Sequence, residues 1–309
     1  MIYTVTLNPS LDRTLSVPEL VPGAIHRARL LREDLGGKGV NVSRSLRGLG
    51  IPSCILGFAG GHSGETLRAG LLAQGFEVAF VDTGAEIRHN ITLFDEASNL
   101  YTKINELGPK IEAKHIAALE DMVGKSAQPG DLWAFCGSLP PGAPPDLYAR
   151  LIERVQEKKA LAFLDASGTA LRSGVTARPF ALKVNTEEVS ELLGVDMEED
   201  LDVSCTASEL LEGATRLVIL TRGSRGLVLA TESERLVAIP PQIEVRSPVG
   251  AGDASLAGLL WAAYEQCDPA TTARRAVACG TAAAMQEGSG VGEAYLVREL
   301  LDRVEIHPV

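Results

Sequence analysis

Apolar residues along this chain switch between two spacings. Residues 2–7 form a short apolar run closed by Asn8-Pro9, which predicts a strand. From Lys38 onward Val40, Leu46 and Leu49 recur at helical spacing, and Gly50 stops the run. A strand at 54–59 and a helix at 65–74 follow. Farther on the pattern predicts helices at 111–126, 145–158, 187–193 and 203–211, interleaved with strands at 132–136, 162–165, 180–184 and 217–220. Segments 227–230 and 235–239 read as a hairpin, and 251–265, 269–286 and 294–303 as closing helices. Strands that alternate with helices predict an α/β fold, a doubly wound and mostly parallel sheet with helices on both faces. Four short alternating segments (13–17, 25–34, 89–94 and 100–104) break that rhythm. They predict a small antiparallel β lid, with segments near 13–35 and 88–105, inserted into a single domain spanning 1–309.

Composition narrows the function classes. The 309 residues carry a net charge of −11, so no basic face for nucleic acid is expected. Small anionic ligands stay possible, held by local Lys, Arg or backbone N–H groups. The 31 glycines point to many tight turns or close backbone contacts with ligands. Cys54, Cys136, Cys205, Cys267 and Cys279 are scattered without a C-x-x-C, which predicts reduced, buried thiols. No signal-like segment or run of 18 apolar residues is present, so a cytoplasmic protein without membrane association is expected.

Several glycine turns open helices where chemistry could sit. Gly250-Ala251-Gly252-Asp253 follows a strand region and begins an apolar helix. The first turn of a helix offers unpaired N–H groups and partial positive charge, and an Asp there can take a proton from a hydroxyl. The same residues also suit a plain glycine turn with a favourable acid in the first turn. Gly36-Gly37-Lys38-Gly39-Val40-Asn41 is a second such turn, fit for a phosphate or sugar hydroxyls, or for a solvated lysine. Its spacing is neither a P-loop nor G-x-G-x-x-G. Asn185 and Glu188, three apart, form either a helix capping box or part of a Mg²⁺-nucleotide site after Lys183. Asp12, the Gly137–Gly142 turn and the Thr221–Gly226 turn each follow a strand, where open α/β sheets bind ligands.

In this order, TLNPSLD, GGKGVNV, GSLPPG, DASG (165–168), the N-x-x-E run at 185–188 and VGAGD resemble the ribokinase-like carbohydrate kinases, in their phosphofructokinase-B branch. The resemblance covers essentially the whole chain. It implies that Asp253 is the general base, with the N–H groups of Gly250, Ala251 and Gly252 as the anion hole for the transferred phosphoryl. It implies Asp12, Gly37 and Asn41 as sugar-hydroxyl ligands, and Lys38, Arg88 and Ser138 as ligands of a phosphate already on the substrate. Lys183, Asn185, Glu188, Thr221, Gly223, Gly226, Gly280 and Thr281 would form the ATP site, with Glu188 holding Mg²⁺ through water. Ser247, Val249, Ala283 and Gly288 match positions that bind a monovalent cation such as K⁺. The lid of such kinases pairs between subunits of a homodimer.

The segments Arg88-His89-Asn90 and 103–109 resemble the lids of 1-phosphofructokinases and tagatose-6-phosphate kinases. Lys38 and Arg88 together favour a phosphorylated substrate. The resemblance therefore implies ATP-dependent phosphorylation of fructose 1-phosphate, with tagatose 6-phosphate and fructose 6-phosphate as alternatives. A non-catalytic sugar-phosphate sensor is the competing class; an intact Asp253 and Asn185/Glu188 pair speak against it. A nicotinamide enzyme is disfavoured, because no G-x-G-x-x-G follows the first strand.

Overall fold

The computed structural model describes residues 1–194, 206–207, 210–211, 215–288, 290 and 292–309. The chain starts with β1 (Ile2–Thr6) and passes into β2 (Ser10–Val17) and β3 (Arg29–Gly36). Then come α1 (Lys38–Gly48), β4 (Cys54–Ala59), α2 (Gly61–Ala73), β5 (Glu77–Asp82), β6 (Arg88–Asp95) and β7 (Leu100–Asn105). The middle holds α3 (Ala113–Ser126), β8 (Leu132–Cys136), α4 (Leu147–Glu157), β9 (Leu161–Asp165), α5 (Gly168–Thr176), β10 (Ala181–Asn185) and α6 (Thr186–Leu193). The last part holds β11 (Leu217–Thr221), β12 (Leu227–Thr231), β13 (Arg235–Ile239), α7 (Ala251–Tyr264), α8 (Pro269–Ala284), α9 (Ala294–Leu301) and β14 (Glu305–Pro308).

One 10-stranded sheet forms the body, in the order β14-β13-β12-β11-β10-β9-β8-β1-β4-β5. Pairings from β5 through β11 are parallel; β12, β13 and β14 add on antiparallel. Strand β8 shows why both faces must be covered. Trp133 and Phe135 enter one core with Tyr148 and Leu151 of α4, while Ala134 and Cys136 enter the other with Leu256 of α7 and Ala276 of α8. Side chains alternate along a strand, so a continuous apolar run feeds two cores. Each large side chain so buried stabilises the fold by about 1.5–3 kcal/mol. From β1 the chain winds outward through β4 and β5, and later in the other direction through β8 to β11. The reversal beside β1 opens a crevice at the carboxyl ends of the strands.

The lid is a 4-stranded sheet in the order β3-β2-β6-β7. Its outer pairings, β2 with β3 and β6 with β7, are antiparallel, but β2 and β6 run parallel. Both strands leave carboxyl ends of parallel body strands, β1 and β5, and so climb in the same direction. Strand β3 lies later than expected, because residues before Arg29 extend away from the sheet; Ile25 is 96% exposed. Three elements escaped the periodicity. Strands β5 and β14 are short edge strands, and α5 is a short helix of nine residues whose sequence includes Gly168 and Gly174. The helix expected over 203–211 lies mostly outside the described residues, as does Cys205. Cys54, Cys136 and Cys279 are buried free thiols, and Cys267 is half-buried. Among the described residues no helix is long and apolar enough to cross a membrane.

Candidate active site

Glycine turns and strand ends meet at the crevice. Asp253 lies in the first turn of α7, whose N-cap Gly250 has φ +82°. The N–H groups of Gly252 and Asp253 have no acceptor among the described residues. That of Gly250 likewise has none among the described residues, while that of Ala251 donates to the Pro248 carbonyl at 3.3 Å, so one of the three expected donors is engaged. Asp253 is only 8% exposed, and its Oδ2 accepts a hydrogen bond from Asn41 Nδ2 at 2.9 Å. Burial, reinforced by Asp165, pushes the Asp253 carboxyl up to about 6, against the opposing pull of Lys38, Asn41 and Lys183. A carboxylate with that pKa is a competent base near neutral pH.

Asp165, at the end of β9, is fully buried. Its Oδ1 lies 3.0 Å from Lys38 Nζ and its Oδ2 lies 2.8 Å from Lys183 Nζ. Burial alone would raise this carboxyl, but Lys183 and Lys38 outweigh it and hold the group at about 2. Asp165 in turn raises the Lys38 ammonium above its ordinary value. The Lys183 ammonium also lies against Gly252: a Cβ there would sit 3.3 Å from Nζ. Two ammonium groups are thus fixed beside the anion turn. Lys38 was expected on the phosphate of the sugar. Its ammonium group is held among Asp165, Glu188 and Asp253. Sequence reasoning quoted Asp165 only within a motif and gave it no role. The signal was a lone acid ending an apolar strand.

Asn185 and Glu188 make the reciprocal capping box. Asn185 Oδ1 accepts from the Glu188 N–H at 2.8 Å, and Glu188 Oε2 accepts from the Asn185 N–H at 2.9 Å. The second oxygen, Glu188 Oε1, lies 3.9 Å from Lys38 Nζ. Burial raises the Glu188 carboxyl above its ordinary value. The capping-box reading of this pair is what the structure shows, and the cap leaves the second carboxylate oxygen outside its own hydrogen bonds. That suits Mg²⁺, which takes few protein carboxylates and keeps waters. Strand register sets Thr221 beside Asn185. Gly223 and Gly226 bracket the 3₁₀ turn that follows. Thr281 is buried, and Gly280 packs α8 against the start of α7, where a Cβ would lie 3.0 Å from the Ala251 carbonyl.

The lid completes the sugar side. Asp12 Oδ1 accepts from Ser10 Oγ at 2.7 Å and from Asn90 Nδ2 at 2.8 Å. The parallel β2–β6 pairing puts Asn90 directly opposite Asp12, a relation invisible in sequence. Arg88 Nε donates to the Asn8 carbonyl at 3.1 Å, and its charge faces Asp12. Gly37 caps α1, and Ser138 is exposed on the loop after β8. The expected monovalent-cation positions adjoin one another, since the Arg246 and Ser247 N–H groups donate to the Ala284 carbonyl. Among them, Ala283 O accepts from the Gln286 N–H, and Ser247 Oγ accepts from the Val249 N–H. The Arg32 guanidinium covers Gly288.

A buried base, paired ammonium groups and a helix start with free N–H donors suit transfer of an anionic group to an alcohol. Residues 6–294 match the profile of the pfkB family carbohydrate kinases. The chain belongs to that family. It is a phosphotransferase with an alcohol group as acceptor. The chain is 33% identical to 1-phosphofructokinase of Bacillus subtilis (strain 168) over 306 residues, covering 99% of each. It is 30% identical to 1-phosphofructokinase of Vibrio cholerae, covering 99% of this chain and 96% of the other. Phosphofructokinase-2 from Escherichia coli, solved in complex with potassium, superposes on this kinase with a TM-score of 0.93 at 26% identity, covering 98% of both chains. The doubly wound sheet with its lid is thus the fold of this kinase family.

Proposed function

We propose that this kinase transfers the γ-phosphoryl group of ATP to fructose 1-phosphate, giving fructose 1,6-bisphosphate. The observation that carries the reading is Asp253, buried and held by Asn41 at the start of α7 beside two fixed ammonium groups. Asp253 takes the proton of the sugar hydroxyl as its oxygen bonds to the γ-phosphorus. The bond from that phosphorus to the bridging oxygen breaks, and ADP leaves with the electron pair. Lys38, Lys183 and the N–H groups of Gly252 and Asp253 face the charge on the transferred group. Asn185, Glu188 and the Thr221–Gly226 turn would hold the nucleotide. Mg²⁺, bound through the free oxygen of Glu188, would neutralise its phosphates.

Arg88 remains the cation for the phosphate already on the sugar, with Asp12 and Asn41 for its hydroxyls. The relatives named 1-phosphofructokinase support fructose 1-phosphate. Fructose 6-phosphate is a second reading: with Lys38 drawn to Asp165, the lysine of the glycine turn no longer argues against it. Tagatose 6-phosphate stands beside it. We further propose that the working form is a homodimer joined through the lid, acting in the cytoplasm where ATP is supplied.

A screen of ADP release over fructose 1-phosphate, fructose 6-phosphate, tagatose 6-phosphate and unphosphorylated sugars tests this. The highest kcat/KM is expected with fructose 1-phosphate. Asp253→Asn should lower kcat by about 10²–10⁴-fold while ATP still binds. Near-normal turnover in that variant would remove the base assignment, and absence of turnover with every phosphosugar would favour a sensor.

A further inference from the structure

Strand β3 is the outer edge of the lid, paired on one side only, with β2. Its free side is tied down by one side chain. Arg32 NH1 donates to the Glu287 carbonyl at 3.0 Å, across 255 residues of sequence. The next residue, Gly288, has φ +61°, and any Cβ there would overlap the Arg32 guanidinium. Only glycine lets the guanidinium come this close, and only glycine takes that φ without strain. The loop after α8 is therefore shaped to receive an arginine from the lid.

The contact leads on to the catalytic residues. Arg32 Nε lies 2.5 Å from Asp34 Oδ2. Residues 32, 34 and 36 share one face of β3, since side chains alternate along a strand. Asp34 stands opposite Asp12 in the β2–β3 register, and Gly36 abuts the Asp12 carboxylate so closely that a Cβ would overlap it. Arg44 of α1 lies within electrostatic reach of Asp34, Asp12 and Arg32. Its NH1 donates to Asn41 Oδ1 at 3.5 Å, and Asn41 donates on to Asp253. The lid edge, α1 and the loop after α8 thus meet at Arg32.

We propose that Arg32 is a positioning residue, a clasp that pins β3 to Glu287–Gly288 and thereby holds Asp12 and Asn41 in place for the sugar. The proposal rests on the kinase reading above. The Arg32 side chain is 36% exposed, so its loss should spare the fold and act on substrate binding. Most residues proposed for the nucleotide, Lys183, Asn185, Glu188 and the Thr221–Gly226 turn, belong to elements apart from this contact, so ATP binding should be nearly indifferent to it.

The test is steady-state kinetics of Arg32→Ala, Arg32→Lys, Gly288→Ala and the Arg32→Ala/Gly288→Ala double variant. Arg32→Ala should raise the KM for fructose 1-phosphate about tenfold, as expected for loss of one charge-assisted hydrogen bond, and leave the KM for ATP unchanged. Arg32→Lys should restore part of the loss. Gly288→Ala should mimic Arg32→Ala by displacing the guanidinium, and the double variant should be no worse than Arg32→Ala alone. An unchanged sugar KM in Arg32→Ala, or fully additive losses, would overturn the clasp. Amide hydrogen exchange of β3 gives a reading independent of turnover. Exchange should quicken in Arg32→Ala, and unchanged protection would also overturn the clasp. If the wild type turns over no phosphosugar but β3 exchange responds, the kinase reading fails while the clasp stands.

Discussion

Asn41 reaches Asp253 across 212 residues of sequence, and that one hydrogen bond tunes the base. The amide stabilises the carboxylate, as do Lys38 and Lys183; burial and Asp165 oppose them, and the balance lies at about 6. On the proposal that Asp253 is the base, only its deprotonated form works, so kcat/KM should fall as pH drops through about 6. Asn41→Ala removes one group that lowers the pKa. The acidic limb of its pH profile should therefore move to higher pH, and a limb that stays or moves down would refute the assignment. Asp253 itself was legible, because an acid in the first turn after glycines is a local feature. Its pKa was not, because its neighbours come from β9, β10 and α1. Lys38 makes the same point: its glycine turn is a local feature, but its partner Asp165 lies 127 residues away.

Helix α7 presents the base, and its placement depends on a close crossing with α8. At Gly258 a Cβ would stand 2.5 Å from the Arg275 carbonyl, where backbone cannot give way. Gly258→Ala should cost about 1–3 kcal/mol as an overpacking change, seen as a lower Tm, and should lower kcat by shifting Asp253. An unchanged Tm would mean that the crossing is looser than it appears from these distances. The helix was recognisable by length and its glycine start. Its packing face was not, because α7 is buried around most of its circumference and carries little amphipathic contrast. Helices with one wet face, such as α4, were read from periodicity alone.

The lid leaves apolar side chains in solvent on one face of β7: Leu100 is 65% exposed and Ile104 51%. A sheet face of this kind calls for a cover, and a second copy supplies a self-complementary one. Sedimentation should find a dimer, and Leu100→Glu with Ile104→Glu should yield a monomer with weakened sugar binding. A monomeric wild type would rule this out. What the sequence determined by itself was the α/β class, the lid as a separate sheet, and the glycine turns and acids at strand and helix ends. All of these are written in spacing and in neighbours within a few residues. The tertiary structure decided who pairs with whom: Asp165 with both lysines, Asn90 with Asp12, Arg32 with Glu287. Those pairings follow from strand order, from the parallel β2–β6 register and from desolvation, which exist only once distant segments are packed side by side.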